Sequence, residues 1–103
     1  MSLTGKKLAI LIAAGPNEPG FAGGTRLAQD ALAEGVDVSV YCIDDGVTGI
    51  EDPRLKGLNG MKLFACAHSA ERRRLPMVPG PTYSGLALLS SLIAASDRFV
   101  AFT

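Results

Sequence analysis

Cysteine is scarce in this chain: Cys42 and Cys66 are the only two among 103 residues. A small disulfide-stapled scaffold shows more cysteines at closer spacing, so both are expected to be reduced thiols. Histidine is scarcer, with His68 alone. One His and two distant Cys cannot close a zinc site without carboxylates, so no metal is expected. An excess of one charge is also missing. Ten Lys and Arg balance ten Asp and Glu, for a formal net charge of +0 and a pI near 6.5. No long-range positive field then draws in nucleic acid or an anionic membrane, and neither is an expected partner. The longest apolar runs, Leu8 to Ala14 and Gly85 to Ala95, fall short of the roughly 20 residues that cross a bilayer. Gly20-Phe21-Ala22-Gly23-Gly24 does not have the G-x-G-x-x-G spacing, no Gly-Lys-Ser/Thr phosphate loop exists, and no nucleophile elbow is visible. Nucleotide cofactors are therefore not expected. Lys6 and Lys7 precede an apolar stretch whose length fits a buried strand better than a cleavable signal. A soluble, cytoplasmic protein is the resulting expectation.

What is present is 48% apolar residues in a length typical of one domain, spanning residues 1–103. Lys7 to Ala13 reads as a first strand, apolar without alternation as in a parallel sheet covered on both faces. The loop Gly15 to Gly24, rich in Gly and Pro, is expected to interrupt regular structure, with a helix starting at Gly24 or Thr25. In that helix Leu27 with Ala31 and Ala28 with Leu32 form an apolar stripe, and Gly35 stands where a glycine ends a helix. Val36 to Ile43 is a second strand rich in β-branched residues, closed by Asp44-Asp45-Gly46. Residues 47–60 leave room for at most a short helix near Leu55. Met61 to Cys66 reads as a third strand and Ser69 to Leu75 as a short helix broken by Pro76 to Pro81. Ser84 to Ala95 is the longest helical pattern, with two apolar stripes, and Arg98 to Phe102 is a closing strand. Alternating strands and helices point to an α/β fold with a doubly wound, mostly parallel sheet.

In such sheets ligands gather beyond the carboxyl ends of the strands. Cys66 ends the third strand just before a helix, where backbone N–H donors favour the thiolate. His68, Arg72, Arg73 and Arg74 add charge to the same stretch. Each has a plainer role open to it: Cys66 as a small buried apolar residue, His68 as a cap or a solvent-facing side chain, and the arginines as complements to a helix C-terminus. Cys42, in mid-strand, reads as core. The glycine-rich loop offers a second kind of site, in which free N–H groups hold a phosphate or carboxylate.

The order of these pieces resembles the DsrE/DsrF/TusD-like sulfur-relay family over nearly the whole chain. The resemblance rests on Arg26 to Gly35 after the first strand and its loop, Val38-Ser39-Val40-Tyr41 with Asp45-Gly46-Val47, Ala65-Cys66-Ala67-His68-Ser69-Ala70-Glu71-Arg72-Arg73, and Gly85-Leu86 through Ser96-Asp97-Arg98-Phe99-Val100-Ala101-Phe102. It implies a single three-layer α/β/α domain of the flavodoxin or Rossmann type with a sheet of about five strands. It also implies that Cys66 accepts sulfane sulfur as a persulfide; His68 and Arg72, and after them Arg73, are then the candidates among the neighbouring residues for stabilising negative charge on that sulfur. Partners would be sulfur donor and acceptor proteins and further copies of the chain, a trimer or hexamer among the expected assemblies, and no cofactor is needed. The chain would then be a carrier or a sulfurtransferase subunit. One departure is visible: Ser69 stands where some members have the second cysteine of a Cys-x-x-Cys pair, which excludes a local disulfide. A catalytically silent assembly subunit of the same fold is the remaining alternative.

Overall fold

The structure, a computed structural model, describes residues 3–103. The apolar run near the start forms strand β1 (Lys7–Ile12), followed by helix α1 (Pro19–Ala33) and strand β2 (Asp37–Cys42). A 3₁₀ turn (Asp44–Gly49) and helix α2 (Pro53–Lys56) lead to β3 (Lys62–Cys66) and helix α3 (Ala67–Arg72). Strand β4 (Thr82–Ser84), helix α4 (Leu86–Ala95) and β5 (Arg98–Phe102) complete the fold. The five strands form one sheet in the order β4-β3-β2-β1-β5, and every pairing is parallel.

Two sequence expectations are corrected. The glycine-rich segment does not delay the helix to Thr25, because α1 begins at Pro19 and runs through Gly20, Gly23 and Gly24. Proline suits a first helical position, where its missing N–H would be unpaired anyway. The glycines, poor helix formers alone, let the helix approach the sheet. A Cβ on Gly24 would stand 2.7 Å from Ile12 Cγ1 and Cδ1, and one on Gly23 would stand 3.0 Å from the Phe102 ring. Packing thus overrides propensity. At its other end α1 stops as the sequence indicates: Gly35 has φ +77°, its N–H donates to the Leu32 carbonyl, and the Val36 N–H donates to the Ala31 carbonyl. That pair of bonds is a Schellman cap.

The second correction is β4. The three residues between Pro81 and Gly85 are too short a run to announce a strand, although Thr and Tyr favour one, yet Thr82 pairs with Phe64 and Ser84 with Cys66. The third-strand and closing-strand readings hold within a residue. The short helix expected at Ser69 to Leu75 starts two residues earlier and ends at Arg72, and the long helix is confined to Leu86–Ala95.

Side chains along a strand alternate between the two faces of the sheet. Ile10, Ile12, Val38, Val40, Cys42 and Ala65 belong to the face under α1 and form the heart of the core with Phe21 and Ala28. The β1-β2, β2-β3 and β3-β4 connections all step the same way along the sheet, so right-handed crossovers put α1, α2 and α3 on one face. The β4-β5 connection steps back and places α4 alone on the other. Leu92 and Ala95 of α4 border a hollow there with Ala9, Ser39 and Lys62 of the sheet. That thinly covered face also carries Tyr41, Phe64 and Cys66. None of α4's ten residues is fully buried, and none is charged.

Candidate functional site

Three strands end together around Cys66. Its backbone is extended, at φ −69° and ψ 114°, and it serves as the N-cap of α3, with Sγ accepting a hydrogen bond from the Ser69 N–H at 3.4 Å. The sulfur therefore occupies a place usually taken by a Ser, Thr, Asp or Asn oxygen. The residue is 4% exposed. Ser69, also buried, faces the neighbouring loop, where its Oγ accepts from the Asp44 N–H at 3.0 Å. Arg73 ties the same two segments together: its guanidinium donates to Asp45 Oδ1 at 2.9 Å and to the Ser69 carbonyl at 3.2 Å. The start of α3 is thus fastened to the turn that follows β2.

Tyr41 approaches from the other side. Its ring stacks on Phe64 with centroids 6.4 Å apart, and its hydroxyl lies 3.1 Å from the Ser84 carbonyl and 3.0 Å from the Gly85 carbonyl. Because β3 lies between β2 and β4, a side chain running from β2 to the end of β4 passes over β3, where Cys66 sits. Burial raises the phenol's pKa and the Ser84 hydroxyl opposes that rise. The Cys66 sulfur then adds to it, as a neighbouring charge and as a hydrogen-bond partner.

No protein-family model matches the chain, and no curated protein matches it by sequence. Among solved structures, the crystal structure of the ychN protein from E. coli superposes with a TM-score of 0.79 over 96% of this chain and 100% of that one, at 19% identity. The fold is DsrE-like. At this identity the likeness concerns architecture, and the chemistry has to be read from the residues present.

Within this fold the four expected site residues do not converge on one point. Cys66 lies inside, at the strand ends. His68 and Arg72 are exposed on α3, and no hydrogen bond or ion pair among the described residues joins either to Cys66. Arg73 is half-buried and engaged with Asp45 and Ser69. Tyr41 and Ser84 were not singled out as site residues from the sequence, and their nearness to Cys66 follows from strand register, whereas Ser69 is held there by the first turn of α3. Cys42 is core, as expected: burial pushes its thiol up to about 12.

The alternative site at the glycine-rich loop has a different geometry from that expected. No helix N-terminus exists at Thr25, and the Gly15 N–H is already taken by the Glu18 carboxylate at 2.7 Å. Arg54 holds the same loop, donating to the Pro16 carbonyl at 2.8 Å while its guanidinium lies 4.7 Å over the Phe21 ring. An open hollow of about 540 Å³ between α1 and α2 and another of about 510 Å³ near the amino ends of β1 and β5 both lie away from Cys66. Among the described residues no group of three or more His, Cys, Asp or Glu is placed to hold a metal, and no helix is long and apolar enough to cross a membrane.

Proposed function

We propose that this chain is a sulfur carrier that holds sulfane sulfur on Cys66. The observation that carries the reading is the placement of the Cys66 sulfur as an N-cap acceptor of the Ser69 N–H, at the carboxyl end of a central strand. An N–H donor bonds more strongly to an anion than to a neutral thiol, so this contact strengthens on the sulfur anion through which the exchange passes. The Cys66 thiolate attacks the terminal sulfur of a donor persulfide. A new S–S bond forms on Cys66, the donor's S–S bond breaks, and the donor thiolate leaves and takes up a proton. An acceptor thiolate then repeats the exchange and releases Cys66. One sulfur atom moves, and no oxidant, metal or organic cofactor is consumed. The expected roles of His68, Arg72 and Arg73 fit a solvent-facing rim that meets an acidic partner better than direct contact with the sulfur, since Arg73 is engaged elsewhere and the other two are exposed.

Transfer between proteins requires the sulfur to be uncovered. The cover includes β4, an edge strand of three residues, and the junction into α4 that Tyr41 holds. This is the shortest strand, and an edge strand opens more readily than a central one. Assembly into a homo-oligomer is part of the same proposal. Parallel sheets are normally covered on both faces, and here one face has only the uncharged α4, with Leu86 58% exposed and Phe99 of β5 39% exposed.

A second reading, a silent assembly subunit, is favoured by the burial of Cys66. Intact-protein mass spectrometry after incubation with a persulfide donor separates the two. The carrier reading expects one reducible sulfur on the wild type and on Cys42→Ser, and none on Cys66→Ser. Absence of loading on Cys66, or equal loading on Cys42, would leave the assembly role.

A further inference from the structure

We propose that Tyr41 is the hydrogen-bond donor to the Cys66 sulfur: its hydroxyl hydrogen turns from the Ser84 and Gly85 carbonyls to the sulfur when that sulfur becomes anionic. This rests on the carrier reading for its purpose but not for its test. The geometry is fixed by register. Tyr41 pairs with Phe64 and Cys66 pairs with Ser84, so the phenol, starting on β2 and ending at the Ser84 and Gly85 carbonyls, lies across the strand end that carries Cys66 and on the same face.

One hydrogen faces two carbonyl acceptors at nearly equal distance, so it is already shared and belongs fully to neither. The hydroxyl hydrogen turns about the C–O bond while the ring keeps its stack on Phe64. A bond to an ionised acceptor is stronger than one to a carbonyl, which gives the rotation its direction. The long 3.5 Å contact from Ser84 Oγ approaches the phenol oxygen as a donor and leaves the phenol hydrogen free to turn. The hydroxyl also keeps its proton where thiols ionise, because the buried phenol's pKa is raised above its already high ordinary value.

Other charged or titratable groups around the site are otherwise occupied or turned away. On α3, His68 and Arg72 are exposed and Arg73 is paired with Asp45. From the turn after β2, Asp44 presents its N–H to Ser69. Tyr83 on β4 belongs to the opposite face of the sheet and its oxygen accepts from the Val78 N–H. Lys62 lies at the far end of β3, and α4 has no charged residue.

The test is the ionisation midpoint of Cys66, followed by the ¹³Cβ chemical shift of labelled cysteine in a Cys42→Ser background, a probe that reads a buried thiol as well as an exposed one. Tyr41→Phe keeps the ring and removes the donor. Its expected result is a rise of about one pH unit in the midpoint, a tenfold smaller thiolate-to-thiol ratio at neutral pH. If Tyr41 only clamps the β4-α4 junction, its loss admits water to the sulfur and the midpoint falls or stays, and either result overturns the proposal. A wild-type Cys66 that does not ionise below about pH 10 also overturns it, since ordinary thiols ionise well below that. Tyr41→3-fluorotyrosine, whose phenol is more acidic and a stronger donor, supplies a version that preserves the packing. There the midpoint is expected to fall, and an unchanged midpoint counts against the proposal. Persulfide loading, measured separately, decides the carrier reading: a midpoint that moves as expected in a protein that never loads sulfur retains the Tyr41 bond and removes the carrier role.

Discussion

Gly46→Ala is the substitution by which the architecture around Cys66 can be tested most severely. Gly46 sits in the 3₁₀ turn after β2 with its backbone against the end of β1. A Cβ there would overlap the Ile12 carbonyl oxygen and stand 2.9 Å from the Ile12 carbonyl carbon. Unlike a side-chain methyl, this carbonyl cannot swing aside, because it accepts the Ile43 N–H at 3.0 Å and belongs to β1, a strand paired on both sides. Relief requires the turn to move outward. Overpacking of this kind costs about 1–3 kcal/mol, and straining the Ile12–Ile43 hydrogen bond adds about 1 kcal/mol. The expected loss is about 3 kcal/mol, equivalent to a fall in Tm of about 12 °C or more in a chain of this size. Urea unfolding followed by circular dichroism reads it directly. Gly60→Ala serves as the control: its backbone has φ +86°, but no atom lies within 4 Å of the added Cβ, so it bears only conformational strain of about 1–2 kcal/mol. A Gly46→Ala loss no larger than the Gly60→Ala loss would refute the argument from close approach. The turn also carries the Asp44 N–H and the Asp45 carboxylate that hold α3. Alkylation of Cys66 in the native protein is therefore expected to quicken in Gly46→Ala and not in Gly60→Ala.

Three further outcomes are expected. Burial raises the Cys42 thiol from 9.0 to about 12, so it is neutral in both folded and unfolded chains below about pH 9. Between there and about pH 12 only the unfolded chain ionises, and stability falls with rising pH by about 1.4 kcal/mol per unit. Cys42→Ala abolishes that slope, so unfolding free energies from urea titrations at about pH 8 and pH 10.5 should diverge by about 2 kcal/mol more in wild type than in the variant, and equal divergence would count against it. Leu86→Glu combined with Ile93→Glu puts two charges on the uncovered α4 face and is expected to convert the assembly to monomers in sedimentation experiments without unfolding the chain. A wild type that is already monomeric at high concentration defeats the assembly proposal. Asp45→Asn removes an ion pair whose partners are 28% and 64% exposed, so it should cost no more than about 1 kcal/mol and cost less in high salt.

Much of this fold was legible in the residue pattern because the signals are local. The non-alternating apolar run of β1, the β-branched residues of β2, the Gly35 helix stop and the closing strand each declare themselves within a few positions. Position at a strand end before a helix likewise marked Cys66. Tertiary structure decided the rest. Pro19 to Gly24 are helical because glycine lets α1 press against Ile12 and Phe102, a reason that lies in another part of the chain. The three residues of β4 are a strand only because β3 offers them an edge, and without that pairing the order of strands around Cys66 cannot be written. The burial of Cys66, the crossing of Tyr41 over β3 and the engagement of Arg73 with Asp45 all follow from register between strands and turns far apart in sequence. The two apolar stripes at helical spacing in Ser84 to Ala95 suggested a helix buried on more than one side, against the sheet and against a neighbouring subunit. The topology instead leaves it alone on its face of the sheet with no fully buried residue, because one ten-residue helix cannot both cover a five-stranded sheet and be covered itself.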